Sequence, residues 1–243
     1  MSYLYQFNLI VHVIAGALAL CLFLIPVLMR KGGVDHKTVG RYYSYCMYSV
    51  ALTGLVMTTF IMIVPAVVMP HLLTDSINSQ ARIEQARVFA WFLSHLAILI
   101  WVSVLYGRRV LAAREARHQL RRPLLLGLLG ILLINGLALF VFGVITGRVL
   151  QIIFGLLGLN VGASSLHYIF RAHVAPRSWL REHLSAYIGS GIGAYTAFLV
   201  FGGRQLALLN GQWQLLWWIA PSILGGLYIA WASRRYAPRS RKL

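Results

Sequence analysis

Polar residues break this chain into seven apolar runs, each long enough to cross a bilayer. Crossing takes about 20 helical residues, at about 1.5 Å per residue, against a hydrocarbon core roughly 30 Å thick. The runs lie at about Phe7–Met29, Tyr42–Met69, Ala86–Tyr106, Leu124–Thr146, Val149–Phe170, Leu184–Phe201 and Gln214–Ser233. The second is overlong and contains Pro65, which predicts a kink or an end near that residue. Only Gly147 and Arg148 separate the fourth and fifth, so a six-span alternative stays open at that boundary. The expected fold is all-α, a polytopic transmembrane helical bundle forming one domain over residues 1–243.

The charges between the runs supply an independent check. Loops one, three and five and the tail carry eighteen Lys and Arg residues, whereas the opposite side carries only Arg82, Arg87, Arg148 and Arg204. By the positive-inside rule this alternation predicts seven spans, with the N-terminus outside and the C-terminus inside. Aromatic residues fit the same frame. Tyr42, Tyr43 and Tyr45 open span two at the inner interface, and Trp213, Trp217 and Trp218 open span seven at the outer one. Gly158 and Gly162, and Gly189 and Gly193, form two GxxxG pairs that predict close helix packing.

Composition agrees: 59% of the 243 residues are hydrophobic, 11% are charged, and the mean hydropathy is +0.74. The formal charge of +17 would suggest nucleic acid in a soluble protein. Here the basic residues flank apolar spans, so topology and anionic lipid headgroups account for them and no nucleic-acid partner is expected. Cys21 and Cys46 both fall in apolar runs and form no metal or disulfide pattern. No Lys or Arg precedes the first run, so a signal peptide is not expected, and Leu20 is too large for a lipoprotein cleavage box before Cys21.

Ionisable groups are nearly absent from the runs. None contains Asp or Glu, which disfavours ion-coupled carriers and proton pumps. Lysine occurs only at positions 31, 37 and 242, which leaves no Schiff-base lysine for a retinal protein. The eight histidines are therefore the main candidates for chemistry. His12 and His95 lie about 8 Å and about 14 Å below the outer boundary, levels compatible with a single haem b between them. The alternative for each is a hydrogen bond across a helix interface. No span carries the two histidines about 13 residues apart that a two-haem cytochrome places on one helix.

At the inner side, spans five and six form a hairpin that should bring His167 and His183 face to face. His36 could reach the same level, and with Glu182 or Asp35 these imidazoles would suffice for zinc or copper. His173 reads as a solvated loop residue, and the His167-x5-His173-x9-His183 spacing matches no standard metal motif. Arg41, Arg171, Arg177 and Arg181 read first as topology signals and headgroup contacts, and otherwise as an anion site. A serine–histidine or zinc hydrolase of the seven-span ceramidase and adiponectin-receptor type would need carboxylates that the runs lack.

Two stretches carry a resemblance. One runs from His12-Val-Ile-Ala-Gly16 to Arg30-Lys31-Gly32-Gly33-Val-Asp35-His36-Lys37-Thr-Val-Gly40-Arg41-Tyr42 and Met47. The other runs from Arg181-Glu182-His183 to Gly189 and Thr196-Ala197-Phe198. Both resemble a family of uncharacterised bacterial multi-pass membrane proteins, classed as a domain of unknown function. The resemblance implies a polytopic helical protein with His12, His36, Gly40, Arg41 and His183 at motif positions. It implies no established activity.

Three functional readings follow, for a protein of the bacterial cytoplasmic membrane. The first is a histidine-based metal- or haem-binding protein of redox type. The second is a non-enzymatic carrier or binder of anionic lipid or small solute, and the third is a purely structural subunit. A homo-oligomer or a redox partner is compatible with the first.

Overall fold

The computed structural model describes residues 2–70, 79–202 and 214–235. Helices dominate, and no strand occurs among the described residues. They are α1 (Ser2–Leu28), α2 (Val34–Ile63), the single turn α3 (Pro65–Val68), α4 (Ser79–Ala113), α5 (Pro123–Thr146), α6 (Val149–Phe170), α7 (Ser178–Ala197) and α8 (Gln214–Arg235). A 3-10 turn at Arg117–Leu120 precedes α5, and a π-helical turn at Phe198–Gly202 extends α7. Seven of the helices are long and apolar enough to cross a membrane, so the chain has the architecture of a multi-pass membrane protein. His71, Asp75, Arg204, Trp213 and the tail residues Arg239, Arg241 and Lys242 lie outside the described residues.

Local chemistry explains where the helices stop. Pro65 disfavours helical geometry at the residue before it, and α2 ends at Val64 with φ −130° and ψ 55°. Pro123 opens α5, where its missing N–H costs no hydrogen bond. Gly147 adopts φ +69°, and the Arg148 N–H donates to the Gly143 carbonyl at 2.9 Å. This is a Schellman stop, and it makes α5 and α6 two complete helices joined by two residues. Past the end of α1, the Lys31 ammonium donates to the carbonyls of Pro26 (2.5 Å) and Val27 (2.6 Å), acceptors that the helix can no longer satisfy.

Several helices outrun the apolar runs. The 35 residues of α4 rise about 50 Å, well beyond a hydrocarbon core of about 30 Å. Likewise α2 begins at Val34 and α7 at Ser178. The expectation that spans lack carboxylates therefore needs amending, because Asp35, Glu84 and Glu182 all sit on spanning helices near their N-terminal ends. Hydropathy marks only the lipid-immersed part, whereas intrahelical bonds carry the backbone on past the interface.

The chain divides into two compact units, Met1–Trp101 with Gly130–Val161, and Val102–Leu129 with Gly162–Leu243. In the first, α1 packs on α2, with Phe23 against Tyr43 at 5.7 Å and Tyr5 edge-on to Phe60 at 6.3 Å. The α5 and α6 backbones touch. A Cβ on Gly155 would lie 2.6 Å from the Phe140 nitrogen, and one on Gly143 would lie 2.7 Å from that of Ile152. In lipid, where apolar burial gives little drive to helix association, such backbone contact is the main source of attraction. The glycine reading was thus right in kind for Gly158 but missed Gly136, Gly143 and Gly155. Among the described residues a Cβ on Gly189 would meet nothing within 4 Å. In the second unit α7 packs on α8, where a Cβ on Gly225 would strike the Ile192 side chain. Large apolar side chains such as Leu28 (84% exposed) and Ile145 (78%) face outward, as lipid requires.

Candidate anion-binding cleft

The second unit contains a cleft of about 600 Å³ where the end of α6, the following loop, the start of α7 and the end of α8 meet. Two residues after α4 shape it. Arg114 takes a left-handed conformation (φ 49°) that turns the chain, and Glu115 accepts a hydrogen bond from the Arg177 N–H at 2.9 Å. Arg177 is itself left-handed (φ 60°), a geometry costing an ordinary L-residue about 1–2 kcal/mol, so the carboxylate helps hold a strained turn. The Arg117 guanidinium then donates to the carbonyls of Tyr168 (2.9 Å), Arg171 (2.6 Å) and Ala172 (3.1 Å). The first belongs to the last turn of α6 and the other two to the loop just beyond it, at the negative end of the helix, where a cation is favoured.

On this framework the cleft collects Arg171, Arg177, Arg181 and Arg234 together with His167. Glu182 is the one acidic side chain among its described lining residues. It is already engaged: the Tyr106 hydroxyl donates to Oε2 at 2.9 Å, and the Arg181 Nη2 lies 3.8 Å from Oε1. The Arg181 side chain is 65% exposed and that of Glu182 18%, so the pair is a loose one whose guanidinium keeps most of its donors for other partners. The Ser233 hydroxyl also lines the cleft, enclosed and without a hydrogen-bond partner. Four guanidinium groups, an imidazole and an unsatisfied hydroxyl suit an anion with several acceptor oxygens.

The expected histidine pairings take other forms. His167 is exposed and lines the cleft, whereas His183 is absent from its lining. The His183 Nδ1–H donates to the Gly107 carbonyl at 3.0 Å, and its ring lies 4.6 Å from that of Tyr187. Gly107 is required there, because a Cβ would sit 2.8 Å from the Tyr187 ring. Glu182 and His183 are consecutive on a helix and so point in different directions, which separates the cleft residue from the packing residue. His173 is an exposed loop residue. His36 belongs to the first unit, half-buried with Nδ1 enclosed and unpartnered, and with Lys31 and Lys37 nearby. Arg41 is exposed on α2 of that unit. No three His, Cys, Asp or Glu side chains gather as a metal-binding group among the described residues.

His12 and His95, the haem candidates, each form a hydrogen bond across a helix interface. Thr53 donates its hydroxyl to the Ser49 carbonyl at 2.6 Å, so the same oxygen accepts from the His12 Nδ1–H at 2.9 Å. Asn8 adds a bond to the Thr53 carbonyl at 2.8 Å. His95 is fully buried, with Nε2–H donating to the Phe154 carbonyl at 3.0 Å. Its ring fills the notch left by Gly158, where a Cβ would lie 2.5 Å from Cε1 and Nε2. Iron at His95 Nε2 would have to break that bond, whereas Nδ1 is enclosed without a hydrogen-bond partner.

Sequence reasoning read Arg234 as a tail charge and Arg117 as a loop charge, and left Tyr106, Glu115 and Ser233 without a role. The only hint was the placement of Glu115 and Arg117 inside the most basic loop. Comparison of the chain with models of protein families, with curated proteins and with solved structures gave no match.

Proposed function

We propose that the chain is a multi-pass protein of a bacterial cytoplasmic membrane that binds an anionic ligand, as a carrier or receptor without catalysis of its own. One observation carries this reading: four arginines and a histidine converge on one cleft whose one carboxylate among the described residues is engaged by Tyr106 and Arg181. Charge alternation favours an outside N-terminus, so the cleft opens toward the cytoplasm, at the level of lipid phosphates and cytosolic anions. The bacterial assignment rests on the family resemblance carried by His12, His36, Gly40, Arg41 and His183.

The test is thermal unfolding of the purified protein in neutral detergent, titrated with soluble anions and with anionic lipid. A ligand of the folded state alone raises stability by RT ln(1 + [L]/Kd), about 2.7 kcal/mol at a hundredfold excess over Kd. Arg171→Gln and Arg181→Gln should each remove most of the shift. The absence of a shift with every anion refutes the proposal.

A further inference from the structure

We infer that the cleft selects a phosphomonoester or inorganic phosphate over a phosphodiester or sulfate, because Glu182 accepts a hydrogen bond from an acidic P–OH. The inference rests on the anion-binding reading and specifies its ligand. An arginine cluster alone discriminates poorly, since sulfate, phosphate and phosphodiester all offer oxygens to the same donors. A carboxylate within such a cluster changes this. Against an anion with no proton it is a repulsive element, and against one with a P–OH it is an acceptor.

Glu182 is placed to act in this way. It lies on α7 among the cleft residues, beside Arg181 and within reach of the groups that would hold the anion. Tyr106 occupies Oε2 from the α4 side, so the carboxylate is braced while it retains lone pairs for a ligand. The groups that act on it are Tyr106 from α4, Tyr168 from α6 and Arg181 from α7 itself. Near pH 6 a phosphomonoester keeps a proton on about half of its molecules, because its second ionisation lies at about 6. Phosphodiesters and sulfate carry none there. A site built to pair a ligand proton rejects analogues that lack it. The chemistry is shared by free phosphate and by a phosphomonoester lipid headgroup.

The test uses the full chain in phosphatidylcholine nanodiscs at about pH 6, where the acidic P–OH is populated, titrated calorimetrically with inorganic phosphate and with sulfate. A second arm compares occupancy by native mass spectrometry in nanodiscs containing phosphatidic acid or phosphatidylglycerol. One charge-assisted hydrogen bond predicts phosphate over sulfate, or phosphatidic acid over phosphatidylglycerol, by about tenfold to a hundredfold. Selectivity confined to the soluble pair identifies free phosphate as the ligand, and selectivity confined to the lipid pair identifies the headgroup. Glu182→Gln, which replaces the acceptor oxygen with a donor, should collapse the preference by strengthening sulfate and phosphatidylglycerol. Equal binding within both pairs in the wild-type protein overturns this inference and leaves the anion cleft standing. Binding of none of the four overturns both.

Discussion

Gly158 supports the sharpest quantitative prediction, because its missing side chain is the space that His95 occupies. In Gly158→Ala the new methyl would lie 2.5 Å from the His95 Cε1 and Nε2, so the ring must move and its bond to the Phe154 carbonyl must lengthen or break. Overpacking a rigid interior costs about 1–3 kcal/mol. A hydrogen bond between membrane helices contributes about 0.6 kcal/mol on average and up to about 1.7. Together these predict about 2–4 kcal/mol of destabilisation, readable by reversible unfolding in mixed micelles. His95→Ala is also destabilising, through the lost bond and the cavity left behind. The double variant separates the causes, because the alanine methyl at 158 can enter the space vacated by the imidazole. It should be less destabilised than the sum of the single variants by at least about 1 kcal/mol, beyond the scatter of about 0.5 expected for independent sites. Additive losses would refute the notch.

Other contacts make further predictions. Arg117→Met removes three hydrogen bonds at the end of α6; with partial exposure discounted, about 1–3 kcal/mol of stability should be lost. Hydrogen exchange should then rise over 171–177, and unchanged protection there would exclude the clamp. Gly225→Ala should destabilise α7–α8 packing by about 1–3 kcal/mol, with partial rescue by Ile192→Val in the same unfolding assay. Thr53→Val removes the hydroxyl partner of the His12 Nδ1, for a loss of about 0.5–2 kcal/mol that His12→Phe should largely mask in a double-mutant cycle. Arg177→Gly relaxes a left-handed turn while deleting a cleft charge, so anion affinity should fall without matching loss of thermal stability.

The spans were legible because bilayer thickness imposes run length directly on hydropathy. The turn at Gly147 was the hardest boundary to read, and a single positive φ decides it. Interfacial helix ends were not legible, since nothing in hydropathy marks where a helix stops after leaving the hydrocarbon. That is how Glu182 escaped notice as a spanning-helix residue. Histidine partners were hidden for a different reason. His95 pairs with a carbonyl 59 residues away, and carbonyls leave no trace in a sequence. The basic cleft was half legible: Arg171, Arg177 and Arg181 share one loop and helix start, but Arg234 reaches them only through the packing of α8 on α7.

The two-residue connection between α5 and α6 bears on how the protein is made. Helices of 24 and 22 residues, joined at Gly147 and Arg148 and in backbone contact along their length, have no slack to be released into lipid separately. With the N-terminus outside, as the loop charges favour, insertion of this hairpin carries Arg148 through the hydrocarbon. Insertion scales put such a charge at about 2.5–3.5 kcal/mol at the membrane centre. The outward Ile131, Ile134, Ile145 and Ile153 offset it at about 0.3–0.6 kcal/mol each, with the many further apolar residues of both helices behind them. Lengthening the turn with a glycine–serine insert would uncouple the two insertions and expose each helix to degradation before its partner arrives.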